Sequence, residues 1–390
     1  MTWTRPVLMG KARETLSTIS AAGEPIVPEN MGALQAQVER TLFLPTEVVP
    51  DDIDVIGPVD IIPDGNRGAF VPDLEVEWDG RRWSVGLKGI GARHPMFGQG
   101  HLGTSRRARP EGRAFSSEAW FGENPWGAMS EQGCHEDAEI TGLMGEDGSI
   151  AGFRICPMLR AEPLPDWLME GARDQYWYRR LDRPGPYYQQ LRIMPSDVRL
   201  FYASEFTLGT RVREVLEAFR VDTTEALDAF VDNYIGSGMA ALTLAARTAG
   251  PSQEWGHRAL DYDDVWLDKD SVLAPDGTLY FADIEGVWWV PLRDQREASH
   301  RMKRQFNRNL YEFMYGLDCL LDERDAMTGR EATRDARRRE LALRMDLALA
   351  GDRHLDIEER EGRVDLRVTP DAEGISQITI KIMDMDGGRK

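Results

Sequence analysis

The stretch His257-Arg258-Ala259-Leu260-Asp261-Tyr262-Asp263-Asp264-Val265-Trp266-Leu267 sets two adjacent carboxylates in a mainly aliphatic and aromatic frame. Upstream of it, residues 223–248 place Leu227, Phe230, Tyr234, Met239, Leu242 and Ala245 along one side of a long helix. Downstream, Thr278-Leu279-Tyr280-Phe281-Ala282-Asp283 is an apolar, β-like run that ends on an acid, 19 residues beyond Asp264 (283 − 264). Long helix, acid-rich loop and acid-ended strand in this order predict a mainly helical region over residues 161–297, with 278–283 as its one strongly β-like insert.

Working outward, the chain before residue 161 reads differently. Val59-Asp60-Ile61-Ile62, Leu74-Glu75-Val76-Glu77-Trp78 and Trp83-Ser84-Val85-Gly86-Leu87-Lys88 are short β-rich runs separated by turn residues. They form a strand meander that ends on a lysine. A Gly-rich, basic loop over 89–113, a helix-like stretch over 116–132 and a strand over 150–159 complete a β-rich lobe spanning residues 55–160. Residues 1–54 carry one expected helix, 30–41, and read as a packing extension. Residues 298–390 read as a helical extension with helices over 299–323 and 328–350. Arg337-Arg338-Arg339 is expected on a solvated face, and alternation in Val364/Leu366/Val368 and Ile378/Ile380/Ile382 predicts a closing hairpin. The expected fold class is α+β.

At 390 residues the chain exceeds the roughly 300 residues at which single cores stop growing, so two packed lobes are expected. A net charge of −19 removes the basic footprint that nucleic acid or an anionic membrane requires, and neither is expected as a partner. Cys134, Cys156 and Cys319 are odd in number and far apart, which fits neither a disulfide framework nor a zinc ribbon. No run approaches the roughly 18 apolar residues of a membrane span. The expected location is cytoplasmic.

The 257–267 stretch resembles the protein-kinase catalytic loop without gaps, with Asp264 at the metal-binding Asn position and Asp283 at the position of the acid that follows the next strands. The resemblance implies a two-lobed fold of the protein-kinase type, with a β-rich N-lobe and a mainly helical C-lobe. It also implies two oxygen ligands, Asp264 and Asp283, for a divalent cation that takes its remaining ligands from nucleotide and water. The usual kinase base is replaced by Ala259, and Asp263 stands near enough in sequence to serve instead.

A narrower resemblance, to the selenoprotein O family, rests on five segments in sequence order. Asn66-Arg67-Gly68-Ala69-Phe70-Val71-Pro72-Asp73-Leu74 resembles the family's Gly-loop segment, and Gly86-Leu87-Lys88-Gly89-Ile90-Gly91 its lysine strand. Gly112-Arg113-Ala114 is similar to the segment before helix C, Arg192-Ile193-Met194-Pro195-Ser196-Asp197-Val198-Arg199 to a specific arginine motif, and Asp263-Asp264 to the acid-amide pair. The resemblance implies ATP bound with Mg²⁺ or Mn²⁺ and AMP transferred to protein hydroxyl groups. Carried over, Lys88 contacts phosphate and pairs with a helix C glutamate, Glu123 in preference to Glu118. Gly65 and Gly68 belong to the nucleotide loop, Arg192 and Arg199 hold the far end of the triphosphate, Asp263 is the base, and Asp264 and Asp283 hold metal. The chain departs from the family in lacking G-D-G-R-A after the Gly loop, in Asp264 itself, and in about ten extra residues, 268–277, between the metal ligands.

Three functions compete on these residues. A protein adenylyltransferase acting on ATP and a protein acceptor is favoured by the paired arginines. A protein or small-molecule kinase needs the same lysine and metal ligands. A nucleotide-binding pseudokinase scaffold is suggested by Ala259.

Overall fold

Trp83, Val85 and Leu87 alternate with Ser84, Gly86 and Lys88 along β5 (Arg81–Lys88), so one face of this strand is apolar and the other carries the lysine. Strand β4 (Gly68–Trp78) enters it through Asp79 and Gly80, whose φ values of 51° and 68° make the two-residue turn for which Asp-Gly is suited. The computed structural model describes residues 13–64, 68–90, 100–101, 104–105, 128–146, 154–173, 186–199, 208–248, 259–261, 270–282, 288–290, 295–329, 334–349, 355–360, 363–369 and 377–384. It is an α+β protein divided into two compact units.

The first unit is built on an eight-stranded antiparallel sheet, with β1 (Glu14–Ser20), β2 (Thr41–Leu44), β3 (Val55–Asp64), β4, β5, β8 (Met129–Ser130), β9 (Met158–Pro163) and β10 (Tyr187–Met194). Their order is β2-β1-β3-β4-β5-β10-β8, with β9 also on β10. A two-residue pair, β6 (Gly100–His101) and β7 (Thr104–Ser105), stands apart from it. Among the described residues this unit has three α-helices, α1 (Gly32–Gln35), α2 (Glu131–Glu146) and α3 (Asp166–Arg173). The unit runs through β9 and β10 to Val198, past the residue-160 boundary expected from the sequence.

Residues 13–54 are more than a packing extension. They supply β1 and β2, and Ile19, Leu42 and Leu44 join Leu164, Leu168 and Met169 of the α3 region and Tyr187 of β10 in one buried cluster. The expected helix over 30–41 shrinks to the single turn α1. Gln35 donates to the Leu159 carbonyl (2.7 Å) and Gln37 makes a two-way amide contact with the Glu77 backbone (2.8 and 3.1 Å). Such tertiary bonds outweigh a short helix that is marginal on its own. The segment is also tied down by charge: the Arg40 fork grips Glu162 through 3.1 and 2.9 Å bonds, and buried Arg160 adds a 3.0 Å contact to the same carboxylate. The Gln189 side chain satisfies both the N–H and C=O of Phe43 on strand β2 at 2.9 Å each.

In the second unit, α4 (Leu208–Ala218) precedes α5 (Thr224–Thr248), which fulfils the expected periodicity: Leu227, Phe230, Tyr234 and Met239 are buried. Helix α6 (Gln295–Thr328) packs on it through Tyr234 stacked against Phe313, with the Tyr234 hydroxyl donating to the Phe313 carbonyl at 3.1 Å. Helix α7 (Arg334–Ala348) is joined to both by ion pairs. Arg344 bonds Asp228 (2.7 Å), and Arg324 bonds Glu340 through both terminal guanidinium nitrogens, Nη1 and Nη2. The solvated face expected for the 337–339 arginines holds only in part. Arg337 is half-buried and pairs with Asp322 and Asp325, while Arg339 is exposed.

Among the described residues four short strands lie between α5 and α6 in sequence: β11 (Ala259–Asp261), β12 (Ser271–Leu273), β13 (Leu279–Phe281) and β14 (Trp288–Val290). β12 and β13 form a hairpin seated on α5, where Asn233 donates to the Asp276 carbonyl and Ser237 accepts from the Leu279 amide. The apparent insertion after residue 268 is therefore largely one strand and its turn. The expected C-terminal hairpin is a three-stranded sheet of β15 (Leu355–Arg360), β16 (Arg363–Val368) and β17 (Ile378–Asp384). Charged Asp356, Glu358, Glu359 and Arg360 hide β15 from a search for apolar alternation. Among the described residues no helix is long and apolar enough to cross a membrane.

Candidate functional site

The first unit brings Lys88, Gly68 and Arg192 of the expected site onto neighbouring strands. Lys88 ends β5 with Gly68 opposite it on β4 and Gln190 opposite it on β10; Arg192 stands opposite Gly86. Paired residues of an antiparallel ladder share a face, so Lys88, Gln190 and Arg192 lie on the polar face of β5 and β10, away from Leu87 and Leu191. The chain leaves this strand through Gly89, at φ 94°. A Cβ there would come within 3.1 Å of the Ala128 Cα and 3.2 Å of the Tyr188 carbonyl, so the turn beside Lys88 has no room for a side chain.

Helix α2 faces the same strands. Its first turn is capped by Ser130, whose hydroxyl accepts from the Gly133 amide at 3.1 Å. Its buried acid is Asp137, 0% exposed, which accepts from Gln190 Nε2 (2.6 Å) and from Arg192 Nη2. Arg192 also donates through Nε to Gln190 Oε1 (3.0 Å) and through Nη1 to the Cys156 carbonyl (2.9 Å). The arginine expected to reach toward phosphate is 4% exposed and turned inward onto α2. Nearby, burial and then the Glu131 charge push the Tyr188 hydroxyl above the usual tyrosine range. Gly65, Glu118 and Glu123 lie outside the described residues, as does most of the helix expected over 116–132; the helix that is described begins at Glu131. Sequence reading missed Asp137, because a buried acid on a helix of low amphipathicity has no local signature.

The second unit holds the expected metal segment and the half-buried Arg199. Strand β11 pairs antiparallel with β14, Ala259 opposite Val290 and Asp261 opposite Trp288. Asp263, Asp264 and Asp283 lie outside the described residues. In sequence, the first two fall on the link from β11 to β12 and the third on the link from β13 to β14.

One acid missed in the sequence stands between these strands. Asp270 directly precedes β12, is 2% exposed, and its carbonyl accepts from the Ala282 amide at 2.6 Å. It is thereby held next to the residue that precedes Asp283, from which it is separated by 13 positions (283 − 270). The Pro275-Asp276-Gly277 turn, flanked by apolar residues on both sides, is the signal that could have revealed the hairpin and this acid at its base. Among the described residues no group of three or more His, Cys, Asp or Glu side chains could by itself hold a metal ion. No family model matches the chain, and no curated protein or solved structure matches it either.

Proposed function

We propose that this chain is an ATP- and divalent-metal-dependent protein adenylyltransferase with a two-lobed, protein-kinase-like fold, related to the selenoprotein O family. The observation that carries this reading is the surround of Lys88. It ends the third strand of the antiparallel meander β3-β4-β5, and the next described helix, α2, turns a buried acid, bonded to Gln190 and Arg192, toward the same sheet face. A lysine on the third strand and an acid on the next helix are what a kinase-type small lobe uses to hold phosphates.

The paired ladders β11/β14 and β12/β13 lend a second, independent support, since their links carry Asp263-Asp264 and Asp283 in sequence. Asp270, a buried carboxylate beside Ala282, suits a hard divalent cation and joins Asp264 as a candidate partner of Asp283. Bound Mg²⁺ or Mn²⁺ neutralises phosphate charge. Lys88 adds a compact positive charge, and Arg192 and Arg199 offer planar forks for phosphate oxygens.

In the transfer itself, an acceptor hydroxyl oxygen bonds to the α-phosphorus as the bond to the β-phosphate bridging oxygen breaks. Pyrophosphate leaves, and the hydroxyl proton passes to the Asp263 carboxylate. A nucleotide-binding scaffold is the second reading, favoured by Ala259 at the usual base position and by the internal commitment of Arg192.

Separate incubations with Mg²⁺ or Mn²⁺ and ATP labelled on the α- or the γ-phosphate, with cell extract as acceptor, test the choice. Protein label from the α-position alone is expected. Label from the γ-position alone identifies a kinase, and nucleotide-dependent thermal stabilisation with no transfer identifies the scaffold.

A further inference from the structure

Asp137 carries its hydrogen bonds unevenly. Its Oδ2 accepts from both Gln190 and Arg192, while Oδ1, equally buried, has no hydrogen-bond partner among the described residues. A carboxylate serving only to fasten α2 to β10 would gain most from a two-pronged pair with the arginine fork. Among the described residues the guanidinium is divided among Asp137, Gln190 and the Cys156 carbonyl, an arrangement in which the Asp137 carboxylate can be exchanged for another anion.

Resting on the nucleotide reading above, we propose that Asp137 is a positioning residue acting through Arg192: it holds the guanidinium until the phosphate oxygens of a polyphosphate displace it. Polyphosphate binding then swaps an internal anion for an external one and loosens α2 from β10. The apparent affinity is lowered by the fraction of molecules in which the internal pair is closed. Removing the charge of Asp137 therefore tightens binding, the opposite of what a purely structural clamp predicts.

Calorimetric titration of tripolyphosphate into the full chain and into its Asp137→Asn variant reads this directly. Asparagine keeps the size of the side chain and an acceptor for Arg192 while removing the competing charge. Binding at least about fivefold tighter than wild type is expected, a gain within the usual range of coupling between two linked equilibria. The same substitution in an Arg192→Met background should bring no gain. Unchanged or weaker binding by a cooperatively melting Asp137→Asn protein overturns the proposal while leaving the nucleotide reading intact.

Hydrogen exchange on the unaltered protein gives a readout that needs no variant. Amides of residues 131–146 should exchange faster with tripolyphosphate present, and unchanged or slower exchange overturns the proposal. If no form binds tripolyphosphate, the nucleotide reading and this proposal fall together.

Discussion

Asp270 and Gly277 belong to one hairpin and make opposite demands on chemistry. A carboxylate as buried as Asp270 costs free energy unless it is paired or holds a cation. Asp270→Asn preserves its shape and removes its charge. If Asp270 serves the metal, the Mg²⁺ concentration needed for half-maximal transfer rises at least about tenfold, since even outer partners of metal ligands carry effects of that size. An unchanged metal requirement would show a structural acid. Gly277 is required by backbone: its φ is 92°, and a Cβ would fall inside contact distance of the Phe230 carbonyl oxygen. Gly277→Ala should cost about 2–4 kcal/mol from left-handed strain and overpacking together, read as a lower midpoint in urea. A variant within about 0.5 kcal/mol of wild type would contradict the seating of the hairpin on α5.

At the scale of elements, α5, α6 and α7 are held by a charged network as well as by Tyr234 and Phe313. Hydrogen bonds from Arg324 hold the Glu340 carboxyl below the usual carboxylate range, against the opposing effect of burial. A carboxylate with a lowered folded-state pKa contributes stability that is fully present above its unfolded value, about 4.3, and is lost as pH falls through the folded value. Glu340→Gln should therefore lower stability at pH 7 by about 1–2 kcal/mol, between the values for exposed and buried pairs. The difference from wild type should shrink as pH drops below about 4, in thermal melts taken across that range. A constant difference at all pH values would remove the charge argument.

The elements that sequence predicted well are those whose signal is local. Leu227, Phe230, Tyr234 and Met239 recur at helical spacing, and Trp83, Val85 and Leu87 alternate, so α5 and β5 could be read directly. β2 and β15 could not, β2 because it leans on a partner far along the chain and β15 because its charged residues carry no apolar alternation. Gln189 satisfies the backbone of Phe43 across 146 residues, and β15 is defined by its ladder to β16 and not by apolar alternation. The candidate site divides the same way. Lys88 was visible as the end of a patterned strand, whereas Asp137 and Asp270 became apparent only when strand pairing gave them neighbours.

For the whole molecule, the N-terminal 13–54 segment is part of the sheet that carries Lys88 and Arg192, so the lysine and its neighbours depend on residues far outside the motifs that first drew notice. On the proposed reading, a chain of net charge −19 must draw an anionic nucleotide by local charge, from Lys88, the arginines near it and a bound metal ion. The central claim is that a kinase-like site transfers AMP. Intact-mass measurement of acceptor proteins after incubation with the purified chain, Mg²⁺ and unlabelled ATP tests it most directly. The account predicts acceptors heavier by one adenylyl group, with one pyrophosphate released for each; acceptors heavier by a single phosphoryl group, with ADP as the other product, would contradict it.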